Sequence, residues 1–508
     1  MNLSNENSNW FFLCIGMLIL SITLLFPVGS DLSIFIQGGM ILHNGGDLYV
    51  DFFDVKPPLV YYLFETLFGL FDKNIFGYRA FDFIYQTSFL ISCIYIFRKL
   101  KLNSIAINLF LISAPLLYTT MGYANVLQVE SMFFLPFIWY FYFSFKYKQS
   151  FKTSLAKGIL LAIIFNMKYT LGVILIADLY FTFFNFKLNK KAVSLALLQV
   201  LMFIAISFLT FLPILIKGNL DGMLRFMDYM SVYSSYPEWG MSQVLYMLES
   251  LTIHFSDNLS LLFIVAFLYT IFNSRKSVHK DLIDHGLLYF VLLVITIVLE
   301  RKGLSYHYQR LIPIYILLVS IGLQNLTKEL KKQKIFFIII ATSFMVIYSP
   351  IPRYINLLKV PYNYFKTSDE KYLNTFEDGK YGAMIYKHKK VAEYLNDSNM
   401  SNKVLVMSSN GNELITFLDN DYEYSMAMSA FYLNSISPKE IQNIAFEDMV
   451  DSEVIVIVKN DYSPITFFKN ISSLEALEEN SRFRNYLSEN FVFDSTIDDT
   501  FVIYKRKH

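Results

Sequence analysis

The chain has 508 residues, of which 55% are hydrophobic, 18% are aromatic and only 17% are charged. Soluble domains contain about 25% charged residues, so this composition excludes an ordinary soluble enzyme. The net charge of +1 leaves no basic excess for binding nucleic acid. Cys14 and Cys93 lie inside apolar runs, which argues against a disulfide framework and against a thiolate metal site.

Apolar runs long enough to cross about 30 Å of hydrocarbon recur through the first two thirds of the chain. The first run, Trp10–Gly29, has no basic start and no small-residue cleavage site, so we interpret it as a retained span. Further runs lie at 77–97, 104–121, 126–145, 154–168, 170–186, 192–216, 257–273, 283–299, 309–325 and 334–348. The pattern predicts about eleven transmembrane helices, and the boundaries near 154–186 are the least defined.

Lys and Arg collect in short loops between these runs, and such loops stay on the cytoplasmic side of a membrane. If the first span runs outward, all of the basic clusters are cytoplasmic. The clusters are Arg98/Lys99/Lys101, Lys146/Lys148/Lys152, Lys187/Lys190/Lys191, Arg275/Lys276/Lys280 and Lys328/Lys331/Lys332/Lys334. We therefore predict a multi-pass protein of the plasma (inner) membrane with a cytoplasmic amino terminus. The loops near 30–76 and 217–256 and the residues after Pro350 then lie outside.

The carboxy-terminal tail has a different composition, in which polar residues separate short β-branched runs. The pattern predicts strands and helices, namely strands at Lys403–Met407, Val454–Val458 and Phe501–Tyr504 and helices at Lys387–Leu395 and Pro438–Ile444. We expect a transmembrane domain at 1–349, with its first outer loop at 30–76, and an extracytoplasmic α/β domain at 350–508.

The first outer loop concentrates carboxylates at the predicted outer face of the membrane. Asp31 opens an apolar stretch that we interpret as a helix along the membrane surface. Gly45-Gly46 ends this helix, and Pro57-Pro58 begins a second helix that runs to about Leu70. An acidic turn joins the two helices and contains Asp47, Asp51, Asp54 and Lys56.

Several motifs together resemble one family. They are Asp31 just after the first span, the string Tyr49-Val-Asp51-Phe-Phe-Asp54-Val-Lys56-Pro-Pro-Leu, and Tyr306-His307-Tyr308 followed by Pro313. On these residues the sequence resembles bacterial members of the GT-C glycosyltransferase superfamily, in the group related to protein O-mannosyltransferases and the lipid A aminoarabinose transferase. Many members have a second acid after the first, whereas Leu32 follows Asp31 here. The resemblance implies transfer of a sugar from a polyprenyl phosphate outside the cytoplasmic membrane.

Asp31 is the predicted base that takes the proton of the acceptor hydroxyl, because the resemblance places the family's catalytic carboxylate here. The structural alternative is a carboxylate that caps helix amides. Asp51 and Asp54 either end the turn or fix the loop and contact sugar hydroxyls. Lys56 either pairs with the donor phosphate or neutralises a neighbouring carboxylate.

Ionisable residues at the edges of later spans are further candidates. Glu130 stands where an apolar run has begun, so it is a second active-site carboxylate, a partner for a cation or a snorkelling residue. Lys168 lies on the predicted outer side of the membrane, whereas the other basic residues collect on the cytoplasmic side. We therefore predict that Lys168 binds an anion. The guanidinium fork of Arg310 can hold two oxygens of a phosphate. His307 is a hydrogen-bond donor to the phosphate, an acid or merely a hydrogen-bonded interfacial group. The resemblance adds Tyr306 as a residue that shapes the sugar site.

The sequence thus predicts a polytopic helical membrane protein of GT-C type that transfers a sugar with inversion to a cell-envelope acceptor. The implied partners are a polyprenyl-phosphate-linked sugar, a lipid, glycan or protein acceptor, and membrane lipids. The sequence fixes no cofactor, and the outer carboxylates leave a divalent cation open. The alternatives are a transporter or flippase of lipid-linked sugars, a polymerase or ligase of surface glycan, and a non-catalytic scaffold. A transporter requires charges near mid-span and internal symmetry, whereas here the charges crowd the outer face.

Overall fold

The computed structural model describes most of the chain. The described residues are 5–146, 150–185, 190–235, 240–258, 261–329, 351–376, 385–400, 403–409, 411–421, 424–426, 429–433, 437–459, 461 and 472–507. The predicted span at 334–348 lies outside them. The chain divides into two compact units, each built from separate segments. The first unit comprises Met1–Leu25, Arg79–Thr210 and Trp239–Pro361, and the second comprises Phe26–Tyr78, Phe211–Glu238 and Tyr362–His508.

The first unit is helical throughout its described residues. Its α-helices are Asn5–Ser21, Ile75–Lys99, Ser104–Thr120, Val129–Met132, Phe134–Lys146, Phe151–Met167, Ile174–Asn185, Lys190–Ile216, Met241–Asn258, Leu261–Asn273, Lys280–Glu300 and Ile312–Glu329. Of these, Ile75–Lys99 begins in the second unit and Lys190–Ile216 ends in it. Short 3-10 helices occur at Ile22–Leu25, Tyr123–Asn125, Tyr169–Val173, Ser274–Lys276 and Ser305–Leu311.

Within the described residues, five helical stretches are long and apolar enough to cross a membrane. They are Asn7–Leu25, Ile75–Lys99, Lys190–Ile216, Lys280–Glu300 and Ser305–Leu326. Each overlaps a predicted span, and several other predicted spans form shorter apolar helices. The predicted class, a polytopic helical membrane protein, is therefore confirmed.

The second unit combines the first outer loop, a segment after residue 210 and the tail. Its α-helices are Ser30–His43, Pro58–Phe71, Leu220–Ser235, Ile351–Lys366, Asp369–Leu373, Ile385–Asp397, Lys439–Asp451, Ser473–Glu479 and Ser481–Asn490. Of these, Ile351–Lys366 begins in the first unit. Its 3-10 helices are Asn374–Phe376, Glu413–Thr416 and Ser429–Leu433.

A sheet of four described strands forms the core of the tail. The strands are β1 (Val404–Met407), β2 (Val454–Val458), β3 (Phe491–Ile497) and β4 (Phe501–Arg506). Their order is β1-β2-β4-β3, with β1 parallel to β2 and both other pairs antiparallel. Every residue of β1 and β2 is buried, which explains their unbroken β-branched and aliphatic sequences.

The predicted elements of the tail are present. Most ends shift by at most about two residues, but the helix predicted at Pro438–Ile444 continues to Asp451. The predicted α/β class of the tail is confirmed. Strand β3 was not predicted, because Asp494 and Ser495 interrupt its apolar sequence and most of its residues are at least partly exposed. Helices Ser473–Glu479 and Ser481–Asn490 were also not predicted from the sequence.

Both predicted helices of the first outer loop form. Helix Ser30–His43 ends at the Gly-Gly pair, and helix Pro58–Phe71 begins at the second proline. Gly38 and Gly39 bring the two helices close together. A Cβ at Gly39 would lie 2.4 Å from the Phe64 carbonyl oxygen, and one at Gly38 would lie 2.5 Å from the Tyr61 ring. Larger residues at these positions would therefore separate the helices.

Candidate active site

Five ionisable side chains meet in the first unit, and we call them the ion cluster: Glu130, Lys168, Glu300, His307 and Arg310. Each stands where a helix begins, ends or changes type. Glu130 lies in the first turn of Val129–Met132, Lys168 directly follows Phe151–Met167, and Glu300 ends Lys280–Glu300. The other two lie on the 3-10 helix Ser305–Leu311.

Arg310 is the centre of the ion cluster, and its side chain has no exposed surface. One terminal nitrogen donates to Glu300 Oε1 at 2.7 Å and to Thr296 Oγ1 at 2.8 Å. The other donates to Glu300 Oε2 and to Glu130 Oε1, both at 3.0 Å. Both ends of the guanidinium fork are thus occupied by protein oxygens, which fixes the two carboxylates relative to each other.

Lys168 bridges the same two carboxylates from the opposite side. Its ammonium donates to Glu130 Oε1 and lies 3.0 Å from Glu300 Oε2. The side chain retains 20% exposure, whereas Glu130 retains 2%. Because the Arg310 side chain has no exposed surface, Lys168 is the one of these two cations that a ligand can reach. Tyr306 places its ring under the ammonium, with 5.9 Å between Nζ and the ring centroid.

The ion cluster also presents a set of metal-type ligands. The ligand atoms of Glu130, Glu300 and His307 lie within 4.8 Å of one another. Two carboxylates and an imidazole suit a divalent transition metal. However, the Lys168 ammonium lies between the two carboxylates, so a metal ion fits this set only if Lys168 moves away.

The charges around the cluster leave a positive excess. Lys302 interacts electrostatically with His307, as do Lys168 and Arg310. The site therefore contains three cationic side chains and two carboxylates, those of Glu130 and Glu300. The adjoining backbone is held by neutral hydrogen bonds, because Gln309 donates to the Asn125 carbonyl and Ser305 donates to the Asn125 side chain at 3.1 Å. This arrangement can bind an anion next to Lys168.

A second buried ion pair was missed by the sequence analysis. The Lys157 ammonium donates to both oxygens of Asp178, at 2.8 and 2.9 Å, and both side chains are at most 3% exposed. The expectation that charges crowd the outer face is therefore incomplete, because this pair lies within two apolar helices. Each charge is fully compensated by the other, as expected for a structural pair.

In the second unit, Asp31 occupies the first turn of helix Ser30–His43 and is partly exposed. Gly29, and not Asp31, is the cap residue, so the capping alternative does not describe this side chain. The backbone amides of the first turn still favour the ionised carboxylate there. An ionised carboxylate is the form that a general base requires.

The acidic turn is built mainly from its own side chains. The Asp51 carboxylate accepts from the Asp47 amide at 2.8 Å, so Asp51 closes the turn. Asp54 is 2% exposed and accepts from the Tyr61 hydroxyl. Lys56 lies over the Phe35 ring, with 5.6 Å between Nζ and the ring centroid.

A cavity of about 620 Å³ lies in the second unit beside the far end of the same helix. Its lining includes His43, Glu65 and Lys217. The Lys217 side chain pairs with Asp47, and this hydrogen bond lowers the Asp47 pKa. By helix rise, the cavity wall at His43 is about 18 Å from Asp31, so it is separate from the predicted base.

The structure thus brings together Glu130, Lys168, His307 and Arg310, which the sequence nominated separately. Asp31, Asp51, Asp54 and Lys56 lie in the second unit. Glu300 was not nominated, although it is an acid at the end of an apolar span, and that signal identifies buried functional groups. Thr296 lies in the same helix and has no distinguishing sequence signal.

Part of the chain is similar to a known protein family. The family model described as dolichyl-phosphate-mannose-protein mannosyltransferase matches residues 55–216. No curated protein matches the sequence. Two structures of an oligosaccharyltransferase from Archaeoglobus fulgidus are similar, each with 10% identity and a TM-score of 0.47 over 98% of this chain and 74% of that chain. One is tethered to an acceptor peptide, and the other is in complex with an inhibitory peptide and a dolichol-phosphate.

The protein is a polytopic helical membrane protein, and residues 55–216 of it are similar to the mannosyltransferase family. Its resemblance to the protein mannosyltransferases, first seen in the acidic loop, is confirmed by the family match from Val55 to Ile216.

Proposed function

We propose that the protein transfers a sugar from a polyprenyl phosphate, with inversion, to an acceptor in the cell envelope at the outer face of the plasma membrane. One observation carries this proposal. The family model for enzymes of dolichyl-phosphate-mannose matches the segment that contains Lys56, Glu130 and Lys168. The same segment contributes two of the five members of the ion cluster, so the family match and the buried charges coincide.

The arrangement of the second unit supports the proposed topology. Segments from the first outer loop, from the loop after residue 210 and from the tail pack into one compact unit. Loops that pack into one unit outside the membrane lie on the same side of it. The charge distribution assigns all three to the side opposite the basic loops, and we take this side as extracytoplasmic.

The ion cluster is the proposed site for the donor phosphate. When the bond between the sugar and the phosphate breaks, negative charge builds up on the departing oxygen, and a nearby ammonium stabilises it. Lys168 takes this role because its side chain is accessible and adjoins the positive excess. Arg310 and Glu300 act by holding Glu130 and Lys168 in place, and His307 completes the wall of the site.

Asp31 is the proposed general base. The carboxylate accepts the proton of the acceptor hydroxyl, and the hydroxyl oxygen forms a bond to the anomeric carbon from the face opposite the phosphate. The bond from that carbon to the phosphate oxygen breaks, and the oxygen leaves with the electron pair. One attack on the opposite face inverts the anomeric configuration. Lys56 and Asp54 shape the loop that follows the helix of Asp31.

The proposal is tested by deleting the gene and restoring it with the wild-type chain, with D31N or with D221N. Asp221 is an exposed acid in the same unit and serves as the matched control. Mass spectrometry of surface glycolipids and glycoproteins is expected to show a hexose or pentose that the wild type and D221N restore and D31N does not. Restoration by D31N would remove Asp31 from the reaction, and an unchanged glycan profile in the deletion strain would overturn the proposed function.

A further inference from the structure

The helix that carries Asp31, Ser30–His43, is contacted by the tail along one face. The Asn412 amide donates to Ser33 Oγ at 2.9 Å. Four residues further along the helix, Gln37 Nε2 donates to the Tyr424 carbonyl at 2.8 Å. Residues three or four apart lie on the same side of a helix, so the contacts form one continuous face.

The contact at the start of this helix is made by backbone atoms. A Cβ on Gly411 would lie 2.9 Å from Cα, Cβ and the carbonyl oxygen of Ser30. Gly411 also has a φ of +154°, which side chains rarely permit. Ser30 directly precedes Asp31, so the tail touches the turn that holds the proposed base and leaves no space for a methyl group.

The contacting part of the tail is anchored behind this surface. We call residues 408, 409 and 411–413 the tail loop. The Asp461 carboxylate accepts from Ser408 Oγ at 2.8 Å and from the Ser409 amide at 2.6 Å. At the other end of the loop, Glu413 lies 3.7 Å from His388, and both side chains are buried. Burial raises the pKa of Asp461 to about 6 and lowers the pKa of His388.

The acidic turn is held by the tail in the same way. The Phe53 amide donates to the Ser425 carbonyl at 2.9 Å. The Ser425 amide in turn donates to the Asp448 carboxylate, at 3.1 and 3.3 Å. Hydrogen bonds made by backbone groups of the tail therefore join it both to side chains of the helix of Asp31 and to the backbone of the loop that precedes Pro57.

We infer that the tail positions Asp31 for the reaction, and that Gly411, Asn412 and Ser33 are positioning residues. The inference rests on the proposed role of Asp31 as base. The observed contacts act on the turn of Asp31, so their loss displaces the base without removing any group of the ion cluster. A displacement of about 1 Å at a reacting group costs up to about 100-fold in rate.

The first test compares G411A with G240A in the purified full chain, using the polyprenyl-phosphate donor whose sugar the deletion strain lacks. Gly240 has only a serine hydroxyl at 3.9 Å from an added Cβ, so this glycine is the matched control. We expect G411A to lower kcat about 10- to 100-fold with the donor KM unchanged within about twofold. G240A should keep both constants. An unchanged kcat in a folded G411A chain would contradict the inference.

The second test compares S33A with S33T. Alanine removes the oxygen that accepts from Asn412, whereas threonine keeps it. We expect S33A to lower kcat and to speed hydrogen exchange in the first turn of the helix, and S33T to restore both. S33A with wild-type kcat would overturn the inference even if G411A failed to fold. An active D31N chain would instead overturn the proposed base, so the two failures are distinguishable.

Discussion

The Arg310 guanidinium donates to both oxygens of the Glu300 carboxylate, at 2.7 and 3.0 Å, in a place where neither side chain is more than 9% exposed. Removing one member of a buried pair leaves an uncompensated charge, which costs about 3–5 kcal/mol. We therefore expect E300Q to lower the midpoint of thermal unfolding of the full chain in detergent.

The matched control for E300Q is D369N. Asp369 pairs with Lys389 at 2.8 Å, but its side chain is 77% exposed. Exposed pairs contribute about 0–1 kcal/mol, so D369N should unfold close to the wild-type temperature. Equal unfolding midpoints for E300Q and D369N would show that the ion cluster does not stabilise the first unit.

A second stability prediction concerns Lys157 and Asp178. K157M leaves the Asp178 carboxylate buried without its cation, and we expect a loss of about 3–5 kcal/mol. K152M, on the exposed side of the same helix, is the control. The double variant K157M/D178L should recover much of the loss, because no unpaired charge remains. Thermal unfolding of the wild type, K157M, D178L, K157M/D178L and K152M measures this. A double variant whose loss equals the sum of the K157M and D178L losses would argue against direct pairing.

Substitution of Lys168 should expose the metal-type ligands of the ion cluster. In K168M the ammonium no longer lies between Glu130 and Glu300, so a divalent cation can approach Glu130, Glu300 and His307. We expect K168M to bind Mn²⁺ at least about tenfold more tightly than the wild type in an electron paramagnetic resonance titration, a change of about 1.4 kcal/mol. Equal Mn²⁺ affinities would show that Lys168 does not exclude a metal.

We expect Asp448 to make the free energy of unfolding depend on pH. Burial, opposed by hydrogen bonds from the Ser425 region, raises the pKa of Asp448 to about 7 from 3.8. The folded chain then binds this proton more tightly than the unfolded chain, so the contribution to stability falls as pH rises from about 4 to about 7 and is constant above that.

D448N removes this titration and keeps an oxygen acceptor. The unfolding midpoint of the wild type, taken relative to D448N, should therefore be higher at pH 5 than at pH 8. A midpoint difference between the wild type and D448N that does not change between pH 5 and pH 8 would contradict the assigned titration.

The helices of the first outer loop were predictable from residues that act on the local backbone. Gly45-Gly46 and Pro57-Pro58 marked the ends of its helices to within about two residues, because these residues act on their own backbone. The unbroken apolar sequences of β1 and β2 likewise indicated strands that are buried on both faces. Strand β3 was missed because Asp494 and Ser495 interrupt its apolar sequence.

The ion cluster shows what a single sequence does not contain. Glu130 and Arg310 were each conspicuous as charges beside apolar spans, but they are 180 residues apart, and no local pattern indicates that they meet. Lys157 and Asp178 were missed for the same reason, since each is isolated within an apolar helix. The contacts of the tail with Ser30 and Ser33 involve backbone groups, which the side-chain sequence does not encode directly.

The most direct test of the account follows the donor itself. The purified full chain is reconstituted with the polyprenyl-phosphate sugar and the acceptor fraction, and the released polyprenyl phosphate and the anomeric configuration of the product are determined by mass spectrometry and NMR. We expect the wild type to release polyprenyl phosphate and form the inverted linkage, and D31N to do neither. A product of retained configuration, or equal release by D31N, would contradict the account.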